Sequence, residues 1–270
     1  MGRKILLNGK IKDIDEVSIS PASPALNYGC GFFETVLYEK GKLFFLSDHL
    51  ERLICSCTAL NTPILKPSSI SEGLLFDLIE QNGMKDKSSR IKIVYAPLFT
   101  ADEWVTALFC YPYERNTGFV KAVVCTDSRE NQFNRHKTLS YMQNIILLQN
   151  NPDYDEVLFI NAEGKIIEGA KSNIIGIKDN ALYFVDNEEN YLQGIMQKNI
   201  VKDHKKLGFD EAIPVSGGFK IEDLASYDEI IMSNSLVLAR SISAVRNGEH
   251  DIKITAAGQS EKIRDFYITI

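Results

Sequence analysis

Apolar positions fall into short runs bounded by turn residues, and the clearest set lies between Asp155 and Ile177. Val157-Leu158-Phe159-Ile160 is a continuous apolar run of strand length, which predicts a strand buried on both faces. Asn161-Ala162-Glu163-Gly164 predicts a turn, with glycine where a positive φ is wanted. Lys165-Ile166-Ile167 returns as a second strand that carries Glu168 and then Gly169. Ser172 and Asn173 precede a third apolar run, Ile174 to Ile177.

The first half reads in the same way. Lys4 to Ile11 predicts a hairpin around Asn8-Gly9. Tyr28 to Tyr38 predicts a strand entered through two glycines, with a turn at Lys40-Gly41-Lys42 and a return strand over Leu43 to Leu46. The three-to-four spacing of Leu50, Leu53, Ile54 and Cys57 predicts a helix through Leu60, capped by Ser47 or Asp48. His49 and Arg52 lie on it, where basic side chains are more often exposed. Ser69 to Asn82 predicts a second helix stopped by Gly83, and Arg90 to Tyr95 and Val105 to Tyr111 predict strands. Pro112 to Gly118 offers no core position and predicts a linker. It would divide a smaller N-terminal α/β domain (1–115) from a larger C-terminal one (116–270).

In that second part, strands are expected at Phe119 to Thr126, Asn180 to Val185, Ile213 to Val215, Asp228 to Ser233 and Ile242 to Val245. Helices are expected over Leu139 to Asn150, over Gly194 to Leu207, around Lys220 to Leu224, and from Gln259 or Ser260 to Ile268. Mixed strands and helices in two halves predict an α+β or α/β enzyme-like architecture.

Composition narrows this picture. With 44% apolar and 24% charged residues the chain is an ordinary globular one, and its net charge of -6 gives no support for a nucleic-acid surface. Five cysteines without paired spacing predict reduced thiols in a cytoplasmic protein. No apolar run reaches membrane-spanning length, so a soluble protein is expected. The four histidines show no recognised ligand spacing, so no metal is expected.

Two ionisable residues stand out. Glu168 lies between hydrophobic strand segments, where an unpaired carboxylate is costly. Either it faces water at a strand end, or it pairs with a cationic or protonated ligand group. Lys137, in Arg135-His-Lys-Thr-Leu-Ser-Tyr141, either solvates a helix start or is held against a cleft as a nucleophile. Three phosphate-compatible features accompany them: the helix start at Gln193-Gly194-Ile195-Met196, the strand end Ser233-Asn234-Ser235, and Arg52.

Five segments together carry a resemblance: Tyr28-Gly-Cys-Gly-Phe-Phe-Glu-Thr35, His49-Leu-Glu-Arg-Leu53, Lys137-Thr-Leu-Ser-Tyr141, Asp155 to Asn173, and Leu192-Gln-Gly-Ile-Met196. The chain resembles the class IV aminotransferases, fold-type IV enzymes dependent on pyridoxal 5'-phosphate. The resemblance implies a two-domain, mixed α/β fold like that of D-amino-acid aminotransferase. It also implies that Lys137 bonds covalently to the cofactor and later moves the substrate's Cα proton, and that Glu168 contacts the pyridine nitrogen. Arg52, the backbone at Ile195 and Met196, and Ser235 with Asn234 match phosphate-holding positions. Ser172 and Asn173 belong to the same cofactor motif, and Tyr141 would lie beside the phenolic oxygen. Tyr28 and Tyr95 would line the substrate side.

The implied assembly is a homodimer with a composite active site for a small amino or carboxylate substrate. The Gly-Phe-Phe-Glu-Thr and Gly-Ile-Met spellings look most like 4-amino-4-deoxychorismate lyase. That similarity implies release of 4-aminobenzoate and pyruvate in folate biosynthesis. The alternative is an amino-acid aminotransferase of branched-chain or D-amino-acid type. Two departures bear on the substrate: Gln197 replaces the arginine usual after Gly-Ile-x, and Tyr95-Ala96 replaces an Arg-Gly pair. A tyrosine cannot reproduce a bidentate arginine clamp.

Overall fold

The computed structural model describes residues 3–66, 69–129, 131–186 and 188–269. The chain gathers into two compact units, Met1–Arg115 with His136–Tyr141, and Asn116–Arg135 with Met142–Ile270.

In the first unit, β1 (Lys4–Leu7) and β2 (Lys10–Asp13) form the expected hairpin, with Asn8 and Gly9 both at positive φ. A helix that the sequence pattern did not predict, α1 (Pro24–Tyr28), follows. Ser23 caps it by accepting from Leu26 N–H at 3.2 Å. Next come β3 (Phe32–Glu39), β4 (Lys42–Leu43), α2 (Leu46–Ala59), α3 (Glu72–Gln81), β5 (Ser89–Ala96) and β6 (Val105–Pro112).

The expected return strand over Leu43 to Leu46 is only two residues long. Phe45 takes a left-handed conformation and α2 starts directly at Leu46, so neither Ser47 nor Asp48 caps it. Burial explains the difference, because Phe44 and Leu46 are taken into the core at the strand-to-helix corner. The six strands are ordered β2-β1-β6-β5-β3-β4, every pair antiparallel. Leu53, Cys57, Leu75, Leu78 and Ile79 from the helices share a core with Val36, Ile91, Ile93 and Leu108 of the sheet.

Gly31 opens β3 at φ 134°, where a Cβ would lie 2.5 Å from Ala96 Cβ. Only glycine allows that approach. Residues 137–141 do not begin the helix expected there. Phe33 N–H donates to Lys137 O at 2.9 Å, Leu139 N–H donates to Gly31 O at 2.9 Å, and Phe32 bridges Thr138. The backbone groups expected to open a helix are thus spent on β3 and the turn before it.

The second unit contains β7 (Val120–Ser128), α4 (Met142–Asn150), β8 (Glu156–Ile160), β9 (Ile166–Gly169), β10 (Asn173–Lys178), β11 (Ala181–Val185), α5 (Ile195–Lys202), β12 (Glu211–Val215), β13 (Glu229–Ser233), β14 (Arg240–Asn247), β15 (His250–Lys253) and α6 (Gln259–Thr269). The sheet runs β12-β11-β10-β13-β14-β7-β8-β9, with β15 branching from β14. Its β12-β11, β14-β7 and β7-β8 pairs are parallel, so the sheet is mixed.

The β8–β9 hairpin turns at Gly164, φ 74°, where the sequence called for glycine. The α5 helix stops at Lys202 rather than Leu207, and α6 is held at its start by buried Glu229. That carboxylate accepts from Ala257, Gln259 and Ser260 N–H at 3.1, 2.8 and 3.1 Å. Among the described residues no helix is long and apolar enough to cross a membrane.

Candidate active site

In the first unit the cations are arranged around β3. Its inward side chain Glu34 is 1% exposed and takes both arms of Arg52, Nε at 2.8 Å and Nη2 at 2.6 Å, together with His49 Nδ1 at 2.6 Å. Burial pushes the Glu34 carboxyl up, but the charges and hydrogen bonds of Arg52 and His49 outweigh it and hold it at about 2. Burial also pushes the His49 imidazole below its ordinary range, against the pull of Glu34.

The expectation of an exposed His49 is thereby corrected: it is fully buried, because Glu34 supplies the polar partner that the helix pattern alone does not reveal. Glu34 was not singled out in the sequence. Its one signal is an acid inside the apolar strand Phe32 to Leu37.

The outward side of β3 carries Phe33. Lys137 Nζ lies 4.4 Å from the centre of that ring and 5.2 Å from the centre of the Tyr141 ring. The two rings meet edge to face at 5.3 Å. An ammonium on aromatic faces is stabilised by the negative faces of the rings. His136 Nδ1 contacts Ser56 Oγ of α2 at 3.1 Å and so ties down the segment next to Lys137. Tyr95 is 6% exposed and packs against Trp104 at 5.1 Å, whereas Tyr28 is 80% exposed at the end of α1.

In the second unit the candidates converge through backbone geometry. Glu168, 4% exposed, pairs with Phe159 across the β8–β9 ladder and accepts from Leu192 N–H at 3.3 Å. Arg129, which the sequence did not mark, lies 3.4 Å from Glu168 Oε1 and sits over the Phe159 ring at 4.3 Å. Asn173 donates to Leu192 O at 2.8 Å, and its Oδ1 fills the place a Cβ on Gly194 would take, 1.9 Å away.

Gly194 is the N-cap of α5 and offers no side chain to it, so the first N–H groups, those of Ile195 and Met196, point out of the helix without partners in it. Asn234 Nδ2 donates to Lys171 O at 3.0 Å, which joins the turn after β13 to the one before β10. Ser172 Oγ donates to buried Glu156 at 2.7 Å. Glu168, Ser172, Asn173, Ile195, Met196, Asn234 and Ser235 thus belong to one linked set of turns in this unit. Arg52, Lys137, Tyr141, Tyr28 and Tyr95 belong to the other unit.

The amino-transferase class IV family profile matches residues 31–245. The chain belongs to that family. A D-alanine aminotransferase from Staphylococcus haemolyticus is 26% identical over 86% of this chain and 85% of its own length. An aminodeoxychorismate lyase from Bacillus subtilis is 24% identical over 94% and 92%. Among solved structures, a branched-chain aminotransferase from Thermoproteus uzoniensis with norvaline superposes with a TM-score of 0.83 at 24% identity. It covers 99% of this chain and 94% of that one, and shows the same fold.

The mixed α/β, two-lobed, fold-type IV architecture expected from the sequence is therefore the observed one, and the cofactor is pyridoxal 5'-phosphate. The residues of this class IV aminotransferase fit that group chemically. Lys137 offers an amine for its aldehyde, Glu168 a buried carboxylate for its ring nitrogen, and the uncapped start of α5 N–H donors for its phosphate.

The expectation of a lyase is corrected. D-alanine aminotransferases recur among the relatives, and aminotransferases form the structural neighbourhood. The physical reason is that Gly-Phe-Phe-Glu-Thr and Gly-Ile-Met build the start of β3 and the start of α5. Those are scaffold features that either reaction needs, and they carry no information about which bond breaks.

Proposed function

We propose that this enzyme is an amino-acid aminotransferase of D-amino-acid or branched-chain type, moving an amino group from an α-amino acid to a 2-oxo acid. The reading is carried by the Lys137 amine held on Phe33 and Tyr141 within a chain whose D-alanine aminotransferase relatives match over most of its length.

When bound, pyridoxal phosphate acts as the electron sink for the substrate's Cα electrons. Lys137 would hold the cofactor through its aldehyde and would move the proton at the substrate's Cα. Glu168 keeps the ring nitrogen protonated. Arg52, the N–H groups of Ile195 and Met196, and the Asn234-Ser235 turn hold the phosphate. Ser172 and Asn173 shape the wall beside Glu168. Tyr141 would orient the phenolic oxygen and Tyr28 would border the substrate, whereas the Tyr95 ring is packed into the core with Phe32 and Trp104, away from Lys137.

The smaller domain, 1–115, and the larger, 116–270, would work in a homodimer whose site draws on both copies. Exposed Leu26 and Tyr28 on α1, and exposed Met142, Ile145 and Ile146 on α4, are apolar surfaces suited to such burial. Five free cysteines agree with a cytoplasmic setting.

The test supplies D-alanine or L-leucine with 2-oxoglutarate and measures glutamate formation. Amino transfer that requires the 2-oxo acid is expected. Absence of glutamate with both donors, in protein that carries the cofactor on Lys137, would overturn the reading.

A further inference from the structure

The position where a substrate-clamping arginine is usual holds Tyr95, whose ring is turned into the helix-covered core with Phe32 and Trp104. Successive side chains of a strand face opposite ways. Ile91, Ile93 and Tyr95 of β5 join that core, while Arg90, Lys92 and Val94 face the other side, where Val94 packs with Phe33, Leu139 and Tyr141. On this side Lys92 Nζ stands 5.1 Å from the Phe33 ring centre, and Lys137 Nζ stands 4.4 Å from the same centre.

Lys92 is half-buried, and its ammonium has no hydrogen bond or ion pair among the described residues. Burial, with Arg90 as a further cation, pushes its pKa down. A half-buried cation without an anion is under-compensated, and a carboxylate brought beside it gains a charge-assisted hydrogen bond.

We propose that Lys92 receives the α-carboxylate of the amino-acid substrate, taking the place of the arginine absent at position 95. The inference rests on the aminotransferase reading and adds the group that distinguishes an amino acid from a simple amine. The shared Phe33 ring sets the spacing between the amine that engages the substrate's nitrogen side and the cation that takes its carboxylate. A lysine is a point charge rather than a fork, so it accepts a carboxylate without fixing its plane.

The experiment uses wild-type holoenzyme with Lys92→Met, Lys92→Gln and Lys92→Arg. Propionate and isocaproate, the non-reacting skeletons of alanine and leucine, are titrated against the visible cofactor band. Single-turnover rates are compared for alanine and leucine and for ethylamine and isoamylamine, which lack the carboxylate. Lys92→Met and Lys92→Gln are expected to weaken binding of the carboxylates about 10- to 100-fold. Amine rates and cofactor retention should stay at wild-type levels, and Lys92→Arg should restore most of the carboxylate affinity.

Wild-type carboxylate affinity in both neutral variants, or an equal loss on amines and amino acids, would overturn the proposal while leaving the aminotransferase reading intact. A wild-type protein that never forms a borohydride-reducible bond to pyridoxal phosphate would end both.

Discussion

The two units hold their candidate residues by opposite means. In the first, two cations are held by side chains far away in sequence, Arg52 by Glu34 and Lys137 by Phe33, and His136 is tied down by Ser56. In the second, an acid and neutral donors are placed by turns in which backbone carbonyls and N–H groups take up side-chain hydrogen bonds. Charge in the first unit is balanced by another charge or an aromatic face. Polarity in the second is balanced in large part by the peptide chain, with Arg129 beside Glu168 and Ser172 on Glu156. Single substitutions should therefore act through electrostatics in one unit and through local geometry in the other.

The largest effect is expected at Lys137. Lys137→Ala should lower amino transfer by about 10⁴-fold or more, because it removes both nucleophile and proton carrier. The protein should still fold, and thermal melting of the apo form should stay close to wild type. A residual rate within tenfold of wild type would detach Lys137 from its role.

Next comes Glu34. Glu34→Ala takes the acid from buried His49 and half-buried Arg52, and a loss of about 3 kcal/mol is expected in denaturant unfolding. The pH dependence has a definite sign. The folded carboxyl sits at about 2 against an ordinary 4.5, so its stabilisation is complete above pH 4.5 and is lost as pH falls towards 2. The melting difference between wild type and Glu34→Gln should shrink over that window. A difference that stays constant down to pH 2 would refute the ion-pair account.

Smaller effects belong to the second unit. Gly194→Ala drives a methyl into Asn173 Oδ1 and breaks its 2.8 Å bond to Leu192 O. The expected outcome is a destabilisation of about 1–2 kcal/mol with weaker retention of pyridoxal phosphate on dialysis. Unchanged retention would mean that this turn does not hold the phosphate. Smallest is Ser172→Ala, which removes one donor to Glu156 and should cost about 1 kcal/mol, a melting shift of about 2–4 °C, with little change in carboxylate binding.

The same contrast governs what was legible beforehand. The Asn8-Gly9 hairpin, the β8–β9 hairpin turning at Gly164, and the start of α5 at Gly194 depend on residues close together in sequence, and local pattern is enough to place them. The elements that escaped depend on distant partners. Residues 139–141 have a helical pattern, yet Leu139 N–H goes to Gly31 O and the preceding Lys137 O takes Phe33 N–H, partners more than a hundred positions earlier. Glu34 reads as an interruption in an apolar strand until Arg52 and His49 are folded onto it, and Arg129 has no sequence signal beyond its charge.

The return of residues 136–141 to the first unit has a consequence for how the protein is made. The ribosome finishes 115 residues of that unit and then must synthesise the opening strand of the other before Lys137 emerges. An N-terminal fragment ending at the linker would lack the backbone partner of Phe32 and Phe33 and the amine their strand supports. The edge of β3 is thus completed only after part of the second unit has been made.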